Sequence, residues 1–146
     1  MTPRLPQSDR RKLIWPLALA ATITWCSGQT VEGLPPTFEG SDKVVHFAIY
    51  GLLATLVSRI EAVQRMSSLG IYAAILIVSV FGMTDELHQY YTPGRSMDIW
   101  DWVADTTGAL LATVLYVKWH GYRWLLEMRI LNRQIEISQH ARRVVA

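Results

Sequence analysis

Residues 84–105 read TDELHQYYTPGRSMDIWDWVAD. Two of the most apolar runs in the chain flank this segment, yet it carries Asp85, Glu86, His88, Arg95, Asp98, Asp101 and Asp105. What such a cluster does in so apolar a chain depends on what the runs around it are. The chain has 146 residues, 51% of them hydrophobic and 18% charged, a size that supports one domain, 1–146, more apolar than an average soluble one. Its mean hydropathy of +0.18 is modest, because polar and basic tails dilute the apolar centre. A net charge of +2 is too small to point to nucleic acid, and the single cysteine, Cys26, cannot form an internal disulfide.

Four windows lack Asp, Glu, Lys and Arg: 13–31, 44–58, 66–84 and 106–117. A bilayer core takes about 20 mostly apolar residues, with a lower limit near 17. The first and third windows reach 19 residues; the second and fourth, at 15 and 12, reach that length only by extending through polar residues. Taken singly, those two equally suit core helices of a soluble bundle.

The charge map decides between these readings. With four spans and both termini on one side, that side holds Arg4, Arg10, Arg11, Lys12, Arg59, Arg65, Lys118, Arg123, Arg129, Arg133, Arg142 and Arg143, which are 12 of 14 basic residues. The other side holds Lys43, Arg95 and eight of the twelve acids. Short basic loops remain cytoplasmic, and a soluble bundle has no reason to alternate charge from loop to loop. The expectation is an all-α, four-helix multi-pass membrane protein, with spans at about 13–31, 43–58, 66–84 and 99–118 and cytoplasmic termini. Trp15, Trp25, Trp100, Trp102, Tyr116 and Trp119 fall near span ends, as interfacial belts do. A cleaved signal peptide at the first run is the weaker alternative. Ser41 or Asp42 is placed to cap the second helix. The tail 119–146 mixes apolar residues with arginines at roughly helical spacing, which suits a basic amphipathic helix on the inner leaflet or a solvated one.

The polar extensions all lie towards the outer face. Lys43, His46 and Tyr50 follow i, i+3, i+7 on the second span; Gly82, Glu86 and Gln89 share a stripe on the third; Asp98, Asp101, Asp105 and Gly108 share one on the fourth. Three stripes from spans two, three and four are therefore expected to converge on a polar cavity, after Pro93-Gly94 turns the chain. Acids at membrane depth are expected to face the bundle interior and to be paired.

At this point DKVVHFAIYGLLATL (Asp42–Leu56) resembles the D-K-x-x-H-F-x-x-Y-x-x-L signature of VanZ-like membrane proteins. The segment ELHQYYTPGRSMDIWDWVADTTGALLA resembles the second signature of the same family, E-x-x-Q followed by P-x-R, an Asp, a further polar position and a Gly. The resemblance covers about Asp42 to Ala112 and implies a role at the bacterial envelope, in envelope stress or glycopeptide susceptibility, with no settled reaction. By position it implies Asp42, Lys43, His46, Tyr50, Glu86, Gln89, Arg95 and Asp101 as the polar set. Asp105 departs from the family pattern, where Asn is usual.

Three functions are open on these residues. In the first, the polar site binds an envelope lipid or lipid-linked cell-wall intermediate through Asp42, Lys43, Tyr50, Gln89, Arg95, Asp101 and Asp105. Arg95 and Lys43 would take the head group, with Asp101 positioning Arg95. In the second, Glu86 and His46 are the acid and base of a membrane hydrolase or transferase. In the third, the stripes form a structural network or dock another membrane protein or a second copy, with Gly51 and Gly108 permitting close approach. His46, His88, Asp85, Glu86 and Asp101 offer metal-ligand chemistry. No histidine pair stands at i, i+4, however, and Lys43 and Arg95 compete for the carboxylates, so neither a metal nor another cofactor is expected.

Overall fold

The computed structural model describes residues 7–30, 40–66, 69–124 and 126. Among the described residues the α-helices run, in order, α1 (Gln7–Ser27), α2 (Ser41–Ser58), the short α3 (Glu61–Gln64), α4 (Ala73–Tyr90) and α5 (Ile99–Lys118), with a 3-10 turn at Gly70–Tyr72 leading into α4. No strand occurs among the described residues. The chain divides into two compact units, Met1–Val114 and Leu115–Ala146, the division falling within α5. Most of the expected amphipathic tail, and the outer loop before Gly40, lie outside the described residues.

Helix boundaries follow the turn chemistry more closely than the charge-free windows. The third window, expected at 66–84, is displaced to Ala73–Tyr90. Gly70, at φ +55°, interrupts any helix beginning at Met66. At the far end, Asp85, Glu86 and Gln89 are buried on the helix, so their polarity does not stop it. The α2 cap also differs from expectation: Gly40 occupies it in the left-handed region, at φ 79°, and neither Ser41 nor Asp42 caps with its side chain. Between α4 and α5, Thr92-Pro93-Gly94-Arg95 forms a turn closed by Arg95 N–H donating to the Thr92 carbonyl at 3.1 Å. Pro93 in the second place and Gly94 at φ +78° in the third are what a type II turn requires.

The core is built on i, i+3, i+4 spacing. Tyr50, Leu53, Ala54 and Val57 of α2 meet Ala73, Ala74 and Val78 of α4, Ala109 of α5 and Ile23 of α1. Along α4 the buried stripe changes character, from Ala74, Val78 and Gly82 to Asp85, Glu86 and Gln89. The apolar part of the bundle is thereby continuous with a polar end. Small residues bring α2 and α5 together: a Cβ on Gly51 would touch the Gly108 carbonyl at 3.2 Å, and one on Gly108 would fall onto the Phe47 carbonyl oxygen. Across α4 and α5, the Ser79 and Thr106 hydroxyls pair at 2.8 Å and Trp102 Nε1–H donates to the Ser79 carbonyl at 3.0 Å.

Many large apolar side chains point outward, among them Trp15, Leu17 and Trp25 on α1, Val44 and Leu52 on α2, Leu76 and Val80 on α4, and Leu110 and Leu111 on α5. One stretch among the described residues, Gly70–Tyr90, is long and apolar enough by itself to cross a membrane.

Candidate binding site

The polar end of the bundle has three parts. The first is a lysine held by three acids. Lys43 Nζ donates to Asp98 Oδ2 at 2.8 Å, Asp101 Oδ1 at 3.0 Å and Asp42 Oδ2 at 3.0 Å. These hydrogen bonds from Lys43 hold the Asp42 and Asp98 carboxyls below the usual carboxylate range. Asp98 is also the N-cap of α5: its Oδ1 accepts from Trp100 N–H at 2.8 Å and its carbonyl from Asp101 N–H at 3.1 Å. Its own N–H donates to Glu86 Oε2 at 2.9 Å, so one residue ties α2, α4 and α5 together.

The second part lies deeper. His46 Nδ1 sits 2.9 Å from Oδ1 of Asp105, whose side chain is fully buried. Gly82 makes room for that carboxylate: a Cβ there would lie 2.7 Å from Asp105 Oδ2. The His46 ring stacks on Tyr50, with centroids 5.9 Å apart and planes 5° from parallel.

The third part is a cavity of about 190 Å³ between α1, α2 and α4. Its polar wall comprises Ser27, His46, Tyr50, Asp85, Gln89 and Arg95. Asp85 is buried; its Oδ2 accepts from Ser27 Oγ at 2.7 Å and from Gln89 Nε2 at 3.3 Å. Gln89 Nε2 also reaches Glu86 Oε1 at 3.3 Å, while its Oε1 accepts from Arg95 Nη2. The Tyr50 hydroxyl and Asp85 Oδ1 are both buried and make no hydrogen bond among the described residues.

The structure thus divides the predicted set. Asp42, Lys43 and Asp101 come together at the rim, with Asp98 added to them, and none lines the cavity. Asp101 meets Lys43 rather than Arg95. Tyr50, Gln89, Arg95 and His46 do line the cavity, whereas Glu86 and Asp105 pack behind it. The expected enclosure by spans two, three and four is corrected: α1 supplies one wall, through Leu19, Thr22, Ile23, Cys26 and Ser27. Ser27, which the sequence reading missed, stands at the polar end of the first apolar window, and that position is the signal it offered.

Taken together, these features define an all-helical protein whose apolar bundle ends in a part-buried network of carboxylates, one lysine, one histidine and one arginine. The chain belongs to the VanZ/LLP1 family, whose model matches residues 7–123. That membership makes it a member of a family of membrane proteins and is consistent with a role at the envelope or in glycopeptide resistance. No curated protein and no solved structure matches the chain.

Proposed function

We propose that this protein spans the bacterial inner membrane four times with cytoplasmic termini and binds the phosphate-bearing head group of an envelope lipid or lipid-linked precursor on its outer side. The outward apolar faces of α1, α2, α4 and α5 support the membrane reading, since monomeric soluble proteins rarely expose so much. The asymmetry of basic and acidic loops supports the orientation.

The observation that carries the binding reading is Arg95. Lys43 is saturated by three carboxylates, whereas Arg95 lines the cavity and pairs with no carboxylate among the described residues. Its planar guanidinium can take a phosphate on two donors, with Gln89 setting its position. Opposite charge stands in the same cavity: Asp85 Oδ1 beside the Tyr50 hydroxyl. A guanidinium and a carboxylate facing one small space suit a zwitterionic group, phosphate on Arg95 and ammonium on Asp85. The volume is below the roughly 300 Å³ of a pocket for drug-sized ligands, so a head group enters and the acyl chains remain along the helices.

The acid–base alternative is less favoured by the geometry. Glu86 Oε2 is committed to the Asp98 N–H, and His46 Nδ1 to Asp105. Native mass spectrometry on gently solubilised protein tests the binding reading. Wild type should retain a phosphatidylethanolamine-sized mass, Arg95→Ala should lose it, and Asp85→Asn should lose the preference for that lipid over phosphatidylglycerol. Equal lipid retention by wild type and Arg95→Ala would refute it. A stoichiometric protein partner in place of lipid would favour a docking role.

A further inference from the structure

Beside the cavity, α2, α4 and α5 bring one imidazole and two carboxylates close together. A ring nitrogen of His46 and one carboxylate oxygen each of Glu86 and Asp101 all lie within 4.8 Å of one another. Glu86 is fully buried and Asp101 is 8% exposed. All three are among the five residues whose metal-ligand chemistry the sequence offers, but they come from three helices and share no local spacing, so the sequence does not single them out.

From this arrangement we propose a divalent transition-metal site, of the Zn²⁺ or Mn²⁺ kind, ligated by His46 Nε2, Glu86 and Asp101. One imidazole and two carboxylates form a borderline-to-hard donor set that suits these ions better than soft ones. Three protein ligands also leave a position open for water or a ligand oxygen, as at catalytic rather than structural zinc.

Two further observations point to a cation there. First, Asp105 occupies the place that an orienting carboxylate takes behind a metal-bound histidine. Its Oδ1 holds His46 Nδ1 at 2.9 Å, which fixes the ring and leaves Nε2, to which no hydrogen bond is made among the described residues. Second, the charge is unbalanced. Six carboxylates (Asp42, Asp85, Glu86, Asp98, Asp101 and Asp105) share two fixed cations, Lys43 and Arg95. Asp105 is fully buried, and its Oδ2 has no hydrogen bond among the described residues. A buried carboxylate with one oxygen unpartnered is costly, and a divalent ion on the far side of the His46 ring supplies charge that the two fixed cations do not.

Closure is geometrically modest. Tetrahedral ligands about 2.0–2.1 Å from zinc stand about 3.3 Å apart, so the three atoms must draw in by at most about 1.5 Å. Asp101 keeps its Oδ1 on Lys43 and offers Oδ2, so the lysine cage forms the outer support of the site.

The site does not use Arg95, and of its ligands only His46 also lines the head-group cavity. The test is calorimetric titration of Zn²⁺, and separately Mn²⁺, into untagged full-length protein carrying Cys26→Ser, with metal content checked by mass spectrometry after dialysis. Close to one ion per chain is expected. Affinity should fall at least 10-fold in His46→Ala and in Glu86→Gln, and about 10- to 100-fold in Asp105→Asn, the range typical when an orienting carboxylate is lost. Arg65→Ala, an exposed side chain outside the network, should bind as wild type. Thermal unfolding of each variant without added metal identifies any that fail to fold, and metal should raise the wild-type midpoint but not that of the folded His46 or Glu86 variants. Unsaturable binding, or equal affinity in wild type and in both folded ligand variants, would overturn the site and show that a proton rather than a metal supplies the missing charge.

Discussion

Gly108→Ala should destabilise this protein, although helix propensity alone predicts the reverse. Gly108 lies within α5, where alanine is favoured over glycine by about 0.8–1.0 kcal/mol. The obstacle is α2. A Cβ at residue 108 would fall on the Phe47 carbonyl oxygen and lie 2.9 Å from its carbon and 3.1 Å from its Cα. These are backbone atoms, which cannot rotate away, so the two helices must separate. Overpacking of this kind costs about 1–3 kcal/mol, and separation here also pulls Lys43 away from Asp98 and Asp101. Overpacking alone leaves about 0–2 kcal/mol after the propensity gain, and the weakened Lys43 pairs add to it, so the net expectation is a loss of about 1–2 kcal/mol. Gly51→Ala is the internal control. Its nearest neighbour, the Gly108 carbonyl, would be 3.2 Å away, so its effect should be smaller. The assay is thermal unfolding followed by far-ultraviolet circular dichroism, with wild type and both variants in one detergent at one protein concentration. A Gly108→Ala protein as stable as wild type would refute the backbone contact between α2 and α5.

Other perturbations test the network piece by piece. Lys43→Met leaves three acids facing one another without their shared cation. Because these groups are partly exposed, the loss should be about 1–2 kcal/mol, and Asp98→Asn in the same chain should recover part of it in a double-mutant cycle. Ser27→Ala removes the 2.7 Å bond to buried Asp85, whose other oxygen is already unpaired; a cost of about 1–3 kcal/mol is expected by denaturant titration. Trp102→Phe keeps the ring but loses its bond to the Ser79 carbonyl, and should cost about 0.5–1.5 kcal/mol in the same titration.

Much of this molecule is legible in its sequence, and the parts that are not have physical causes. The stripe from Lys43 through His46 to Tyr50 and the stripe from Asp101 to Asp105 do face inward, because spacing of three and four residues places them on one helix face. The turn at Pro93-Gly94 also reads directly, since only a few residue types fit its backbone. The end of α4 did not. A charge-free window stops at Asp85, yet the helix continues to Tyr90 because Ser27, Gln89 and the Asp98 N–H take up its acids inside the bundle, all but the Asp85 Oδ1 atom. Which acid meets which base was also beyond reach. Asp101 and Arg95 are close in sequence, but α5 turns Asp101 towards α2 and Lys43, while the type II turn leaves Arg95 against Gln89. The wall from α1 was hidden because Ser27 carries no charge and stands far from the motifs in sequence.

The central claim is that the polar end of the bundle faces outward from a membrane, and impermeant thiol labelling of intact cells tests it most directly. With Cys26→Ser as background, single cysteines are introduced at Ser96, exposed beside Arg95, and at Met66, exposed after α3. The account predicts that Ser96→Cys is labelled in intact cells and that Met66→Cys is labelled only after the membrane is permeabilised. Labelling of both positions to the same extent in intact cells, or of Met66→Cys alone, would contradict it.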